Sequence, residues 1–389
     1  MQKLTNINNK IKITIFLGFV FSLHLSLVSF INSTFLSSFI GETSVGIVYA
    51  LASVSSILAL LFIPKILKQL GGYKFILYSS ILSALSLFSL YFFHNKVGIV
   101  AIFILYFTLN NIIIFIIDEL LEIFADNANM GKIRGLYLAF MNSAWVLSQL
   151  ISSRFLNGYK INNLYFIAFI LMIIFFLTIL LCMRKMPDPK YDKITIFKSL
   201  GKFTKHSNLM RSYLMTFLLQ FFFSWMVIYT PIYLSIHLGF SWQEITSIFS
   251  IMLLPFVLFQ FPLGKYSDKW GERHLLMAGF TIISISTIAL FFIKNNSVWV
   301  WASMLFITRI GAAIIESMVD IYFFKHINKE NDEFIGIYRN TQPMAYIFAP
   351  LTASILFYFI PAFNYLYLIL GALMLSGIYI SSTIKKSEI

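Results

Sequence analysis

Charged side chains are scarce in this sequence: Asp, Glu, Lys and Arg make up only 12% of its 389 residues. A soluble domain of ordinary composition carries about 25% charged residues, because its surface faces water. Apolar residues make up 59% of the chain. The composition therefore excludes a set of soluble domains and indicates a membrane protein whose outer surface faces lipid.

Cysteine is almost absent, since Cys182 is the only one. An internal disulfide is impossible, and no Cys/His metal cluster can be built. The six histidines are scattered along the chain, whereas a membrane enzyme usually clusters its His, Asp or Ser side chains at an interface. The nucleotide-binding pattern G-x-x-x-x-G-K-[ST] is also missing, which excludes direct use of ATP. We expect no enzyme activity, cofactor or metal.

Long apolar runs fill most of the sequence, and twelve of them are long enough to span a bilayer as helices. They occupy residues 12–36, 44–67, 74–93, 97–124, 132–157, 161–184, 209–236, 242–265, 273–293, 297–325, 333–360 and 363–384. The polar connections are short except for residues 185–208, which are basic. The pattern predicts an all-α membrane protein with an N-terminal six-helix bundle at 1–184, a cytoplasmic linker at 185–208 and a C-terminal six-helix bundle at 209–389.

The positive charges lie on one side of this arrangement. Of the 29 Lys and Arg residues, all but five fall in segments on the same side as the N-terminus. The exceptions are Lys96, Arg154, Lys160, Lys294 and Arg309. Because cytoplasmic segments of membrane proteins are enriched in Lys and Arg, both termini are predicted to be cytoplasmic in the plasma membrane. The net charge of +13 is then a topology signal, and nucleic-acid binding is not expected.

The two halves of the sequence repeat at an offset near 200. Polar loops with a glycine at Gly71 and Gly271 precede the third and ninth predicted helices. Acid pairs spaced four residues apart follow in the fourth and tenth helices, at an offset of 198. Matching Gly, Tyr and Ala residues in the fifth and eleventh helices give an offset of 201. This duplication predicts two equivalent bundles related by an axis along the membrane normal, with a binding site between the halves.

The loop between the eighth and ninth predicted helices resembles the G-x-x-x-D-[RK]-x-G-x-[RK] motif of the major facilitator superfamily. The matching residues are Gly264, Asp268, Lys269, Gly271 and Arg273. The resemblance implies the fold of that family and transport by alternating access. It also implies that Asp268 contacts the start of the fifth helix and closes a cytoplasmic gate.

Two departures from the family pattern concern the first half. Lys68 stands where the family motif has an aspartate, and Ser148-Gln149 replace the Gly-Pro of the family's antiporter motif. The eleventh helix keeps Ala349-Pro350 at the matching place. The direction of transport therefore does not follow from the fifth helix.

The acid pairs have two possible interpretations, which are proton transfer and ion pairing. Asp118 and Glu122 share one face of the fourth helix, and Glu316 and Asp320 share one face of the tenth. A carboxylate at membrane depth is costly unless it is paired or hydrated. Asp118 and Glu316 are candidates for carrying a proton, whereas Glu122 and Asp320 are expected to form ion pairs at the gate.

Arg309 lies near the middle of the tenth predicted helix, where no other residue is charged. An arginine within the membrane faces a cavity or a partner, and its planar guanidinium suits a carboxylate or a phosphate. In the resembling family, helices one, four, seven and ten line the cavity. We expect Arg309 to bind the substrate, with a structural pair to Asp118 as the alternative.

Several polar and aromatic residues accompany Arg309 as candidates. His24, in the first helix, is predicted to be a packing residue or a proton-coupling residue. The other candidates for substrate binding either line a polar cavity or hold helices together. They are Asn110, Asn111, Gln220, Trp225 and Tyr229.

The sequence therefore predicts a monomeric secondary transporter for a small molecule, with a proton as the coupling ion and an anionic group on the substrate. The alternatives are an uncoupled facilitator and a lipid or amphiphile flippase of the same fold. A membrane enzyme and a channel are disfavoured by the scattered histidines and by the repeat.

Overall fold

The computed structural model describes residues 2–93, 95–124, 130–155, 162–184, 201–259, 270–326 and 333–384, and the regular structure within them is helical. The first seven helices are α1 Gln2–Ser29, α2 Asn32–Ile40, α3 Glu42–Leu70, α4 Gly72–Phe92, α5 Lys96–Phe124, α6 Met130–Phe155 and α7 Asn163–Cys182. The other seven are α8 Ser207–Ile232, α9 Trp242–Leu258, α10 Glu272–Phe292, α11 Val298–His326, α12 Glu333–Arg339, α13 Thr341–Leu356 and α14 Tyr365–Ser382. A π-helical turn, Tyr233–His237, extends α8.

Within these described ranges, nine helical stretches are long and apolar enough to cross a membrane. The predicted first and eleventh spans are each broken once, between α1 and α2 and between α12 and α13. The helices α6, α9 and α13 are shorter or more polar than the nine stretches. Taken with the nine long stretches, they agree with the predicted series of twelve membrane helices, and the predicted all-α membrane fold is confirmed.

Contacts between Cα atoms divide the chain into two units. The first comprises Met1–Gly41 and Leu51–Lys193, and the second comprises Glu42–Ala50 and Ile194–Ile389. The boundary at 193 falls inside the predicted linker, of which residues 185–200 lie outside the described part. The first nine residues of α3 group with the second unit, which the sequence did not predict.

The two units are packed in the same way. In the first unit, α1 packs on α5, α6 and α7, while α4 packs on α5 and α7. In the second unit, α8 packs on α11, α13 and α14, while α10 packs on α11 and α14. These five helix pairs of the first unit therefore have counterparts in the second, as expected for a duplicated bundle.

Glycine turns mark the start of equivalent helices. Gly71 and Gly271 have φ of 75° and 76° with ψ of 153° and 147°, and they directly precede α4 and α10. This backbone region is open almost only to glycine, because a Cβ atom would clash with the backbone. Gly271 thus makes a tight turn directly before α10.

Helix bounds fix the alignment of the repeat. The 21-residue helices α4 and α10 begin 200 positions apart, at residues 72 and 272. The 29-residue helices α5 and α11 begin at residues 96 and 298, because the loop 293–297 is two residues longer than the loop 93–95. The offset between α5 and α11 is therefore 202 rather than the predicted 198. Asp118 aligns with Asp320, and neither Glu122 nor Glu316 has an acidic counterpart.

Small residues let helices of the second unit approach closely. A Cβ atom on Gly279 would meet the Ile315 side chain, and one on Gly377 would overlap with the Phe280 ring. The same holds for Gly371 against the backbone of α10. Such glycines are typical of membrane bundles, in which van der Waals packing rather than exclusion of water holds helices together.

We predict that Gly71→Ala and Gly271→Ala each destabilise the protein by about 1–3 kcal/mol, the usual cost of such a backbone strain. The comparison is Gly98→Ala in α5, where the nearest atom to an added Cβ is 3.9 Å away. Thermal unfolding of the purified protein in detergent should give a lower Tm for the first two variants only. A Tm equal to that of Gly98→Ala would show that these turns are not strained.

Candidate substrate site

Arg309 is the largest charged side chain in the interior of the second unit. It lies in α11 and is 2% exposed. Its guanidinium carbon is 5.2 Å from the centroid of the Phe222 ring and 5.4 Å from that of Phe223, both in α8. The two ring faces attract the cation. In a desolvated site this interaction is worth about 2 kcal/mol or more.

The hydrogen-bonding capacity of this arginine is only partly used. Nε and Nη1 are buried and have no hydrogen-bond partner among the described residues. Arg309 also forms no salt bridge within that part of the chain. Its electrostatic neighbours are Tyr346 of α13 and Glu316, two turns further along α11. The guanidinium thus has two donors that could bind an anion.

Acidic groups follow Arg309 along α11. Glu316 is half-buried, and Asp320, one turn beyond it, is exposed. Glu316 interacts electrostatically with both Asp320 and Arg309. Spacings of seven and eleven residues keep all three on one face of the helix. The second unit therefore has a strip of charge that runs from its interior to its surface.

Asp320 has a hydrogen-bond partner that the sequence did not indicate. It accepts a hydrogen bond from Tyr338 Oη at 2.7 Å. Near the same end of α11, Lys325 pairs with Glu272 of α10 at 2.6 Å. Tyr338 was missed as a partner, although it stands at the position that matches Tyr137 in the repeat.

The gate residues of the loop motif are only partly visible. Gly264, Asp268 and Lys269 lie outside the described residues, as does the side chain of Glu122. Arg273 is exposed at the start of α10. The assignment of this loop as a gate remains a prediction.

His24 is packed in the interior of the first unit. Its Nδ1 lies 2.5 Å from the Phe21 carbonyl oxygen, and its ring meets those of Phe21 and Tyr106 edge to face at 4.7 and 6.2 Å. It faces Asn110, whose Oδ1 accepts a hydrogen bond from Ser83 Oγ at 3.4 Å. His24 and Asn110 thus share one buried polar cluster.

Asn111 connects two helices. Its side-chain amide donates to Ser56 Oγ of α3 at 3.1 Å and to the Phe107 carbonyl at 3.0 Å. Thr108 makes a parallel contact with Ser55 at 3.0 Å. These bonds favour the helix-holding interpretation of Asn111 over substrate binding.

Trp225 and Tyr229 hold α13 against α8. Trp225 Nε1 donates to the Ala349 carbonyl at 2.5 Å, and Tyr229 Oη donates to the Pro350 carbonyl at 3.2 Å. Both side chains are 2% exposed, and both also line a small cavity with Phe363. Their role in substrate binding stays a prediction. Gln220, one to two turns earlier in α8, is half-buried.

The first residues of α3 form a contact that sequence reasoning missed. A Cβ atom on Gly46 would overlap with the Pro350 carbonyl oxygen and with the hydroxyl groups of Tyr229 and Ser354. Ser354 Oγ donates to the Thr43 carbonyl at 2.9 Å. One turn earlier, Glu42 pairs with His237 at 2.9 Å. The only sequence signal for this contact was a glycine in an otherwise apolar helix.

The fold is shared with solved transporter structures. The nucleoside transporter NupG superimposes with a TM-score of 0.75 at 13% identity, over 97% of this chain and 100% of that one. A bacterial homologue of the human lysosomal transporter Spinster, solved in an inward-facing and unoccupied conformation, gives a TM-score of 0.66 at 11% identity. That match covers 96% of this chain and 94% of the homologue.

The sequence profile of the Major Facilitator Superfamily matches residues 213–385, most of the second unit. The resemblance to the major facilitator superfamily is confirmed. The protein therefore has the fold of a multi-pass membrane transporter of this superfamily, and its long apolar helices fit that assignment.

We predict that Gly46→Ala loosens the start of α3. The added methyl group would overlap with a backbone carbonyl, which cannot rotate away as a side chain can. Val45 is fully buried, so a cysteine placed there in a Cys182→Ser background reports the change. Maleimide labelling of Val45→Cys should be several-fold faster with Gly46→Ala than with Gly98→Ala. Equal rates would mean that α13 adjusts to the methyl group.

Proposed function

We propose that the protein is a secondary transporter that moves a small anionic molecule across the cell membrane by alternating access, with a proton as the coupling ion. The observation that carries the proposal is the buried Arg309, whose Nε and Nη1 lack hydrogen-bond partners in the described structure. Each unsatisfied buried donor costs about 1–3 kcal/mol. A bound carboxylate or phosphate would satisfy both donors at once.

The energetic cost of placing Arg309 inside the membrane supports a ligand-binding role over a packing role. A charged arginine at the centre of a bilayer costs about 2.5–3.5 kcal/mol or more. The two phenylalanine rings offset part of that cost. A side chain with only a packing role would be expected to have a carboxylate in contact, and Glu316 is two turns away. A bound anionic substrate would offset the rest of the cost of burying this charge.

The proton-coupling part of the proposal rests on Glu316. This carboxylate is half-buried in a membrane helix and interacts electrostatically with both Arg309 and Asp320. An anion bound at Arg309 would neutralise the positive charge that keeps Glu316 ionised. A proton bound at Glu316 would remove the negative charge that repels the anion. Each binding event therefore favours the other. His24 and Asp118 in the first unit are the other candidate proton carriers.

Uncoupled facilitation and lipid or amphiphile flipping are the alternatives. NupG is a nucleoside transporter, and nucleosides carry no net charge at neutral pH. The unsatisfied guanidinium of Arg309 favours a substrate with a negative group over such a neutral molecule. We further propose a monomer in the plasma membrane with both termini in the cytoplasm, because of the distribution of Lys and Arg.

We predict that small carboxylates and phosphorylated compounds raise the Tm of the purified protein, and that the response depends on Arg309. Arg309→Lys should weaken the apparent affinity at least about tenfold, since a lysine cannot bind an anion through a planar fork. Arg309→Gln should abolish the response. The exposed Arg154 provides the matched control, and Arg154→Lys should respond like the unmodified protein. An equal response in all variants would place the anion elsewhere.

The topology gives a second prediction. Lys294 and Lys202 are both exposed, so cysteines at these positions in a Cys182→Ser background should react freely with any reagent that reaches them. A membrane-impermeant maleimide added to intact cells should label Lys294→Cys and not Lys202→Cys. After permeabilisation both should react. Labelling of Lys202→Cys in sealed cells would contradict a cytoplasmic linker.

A further inference from the structure

Three side chains form a hydrogen-bonded chain across the second unit. Thr216 Oγ1 of α8 donates to Tyr338 Oη at 2.8 Å, and Tyr338 Oη donates to Asp320 Oδ1 at 2.7 Å. The Tyr338 ring also stacks on Phe323, with centroids 4.0 Å apart and an interplanar angle of 12°. Each hydroxyl has a single proton to donate, and both protons are used. The tyrosine is therefore fixed in place at both its ring and its hydroxyl.

The same three residue types occupy the matching positions of the first unit. Thr14, Asp118 and Tyr137 precede their counterparts by 202, 202 and 201 positions. Their hydrogen bonds differ from those of the second copy. Thr14 Oγ1 donates to the Lys10 carbonyl of its own helix at 2.9 Å, and Tyr137 Oη reaches Asp118 Oδ1 only at 3.5 Å.

Gly18 accounts for the difference. A Cβ atom at Gly18 would overlap with the Tyr137 ring, so the ring occupies space that a side chain would otherwise fill. Gln220 stands at the matching position of α8, so the second unit has a half-buried side chain where the first has a glycine. Leu121 stands where the second unit has Phe323, so the first unit also lacks the ring on which that tyrosine stacks.

We propose that Tyr137 alternates between two positions. One is the observed position over Gly18. In the other, which is like that of Tyr338, its hydroxyl accepts a hydrogen bond from Thr14 and donates one to Asp118. The second unit shows that the same side chains close this chain once a glycine is absent. Tyr137 is then a positioning residue that holds the Asp118 carboxylate closely in one position and only through the long 3.5 Å contact in the other.

This switch acts on one of the candidate proton carriers, and that link to transport rests on the proposed function. The switch itself is independent of any substrate. Gly18 permits the observed position, and Thr14 stabilises the alternative. We expect the tyrosine of the second unit to have no such choice, because a Gln220 side chain stands where the first unit has Gly18. The two copies therefore make opposite predictions for the same measurement.

The test is fluorine NMR of the full-length protein in lipid nanodiscs, with 3-fluorotyrosine at position 137 or at position 338. Position 137 should give two resonances, or one that relaxation dispersion resolves into two exchanging states, and position 338 should give one. Gly18→Ala should leave a single resonance at position 137. Thr14→Val should shift the population towards the observed position. Gln220→Gly should create a second resonance at position 338.

Gly98→Ala is the control for replacing a helical glycine and should leave both spectra unchanged. A single narrow resonance at position 137 that Gly18→Ala does not shift would overturn the proposal. If Gly18→Ala does not fold, the Gln220→Gly spectrum decides, because a single unchanged resonance at position 338 would also contradict the switch. Loss of the anion response at Arg309 would leave these spectra unaffected, so failure of the proposed function can be told apart from failure of the switch.

Discussion

The constraint on which this structure depends is that a bilayer offers no hydrogen bonds to the backbone. Every spanning segment must satisfy its own N–H and C=O groups, and the helix does this within one segment. Because lipid is as apolar as the helix surface, burial of apolar side chains cannot distinguish one helix arrangement from another. The few polar contacts and glycine packings therefore help to determine which helices meet, and five helix pairs of the first unit recur in the second.

Polar groups within each unit fall into two kinds. Most are satisfied locally and hold helices together, as Asn111 does with Ser56 and as Trp225 does with the Ala349 carbonyl. A smaller set remains incompletely satisfied, with the Nε and Nη1 atoms of Arg309 as the clearest case. Unsatisfied donors in a membrane interior are costly, and this cost is why Arg309 supports the proposed anion site.

The fold was largely predictable from sequence, because apolar runs, short loops and Lys/Arg placement follow directly from the bilayer. Side-chain partners were less so. The sequence predicted an offset of 198 between the acid pairs, whereas α5 and α11 start 202 residues apart. The two values differ by four residues, which is about one helical turn. Both place an acid on the same face, so periodicity could not separate them, and the partner of Asp320 was missed. Gly46 and the bonds of Tyr229 depend on contacts between distant segments, which no local pattern encodes.

The longer loop at 293–297 shows how a duplicated bundle absorbs a change in length. Two residues inserted into a helix would rotate everything beyond them by about 200° and turn the buried face outward. In a loop they cost little, and here they make new bonds. Asn296 donates to the Leu238 carbonyl at 2.8 Å, and the Asn295 carbonyl accepts from the indole of Trp301 at 3.0 Å. The longer loop thus links the start of α11 to the turn before α9, so a difference in loop length between the repeats carries contacts of its own.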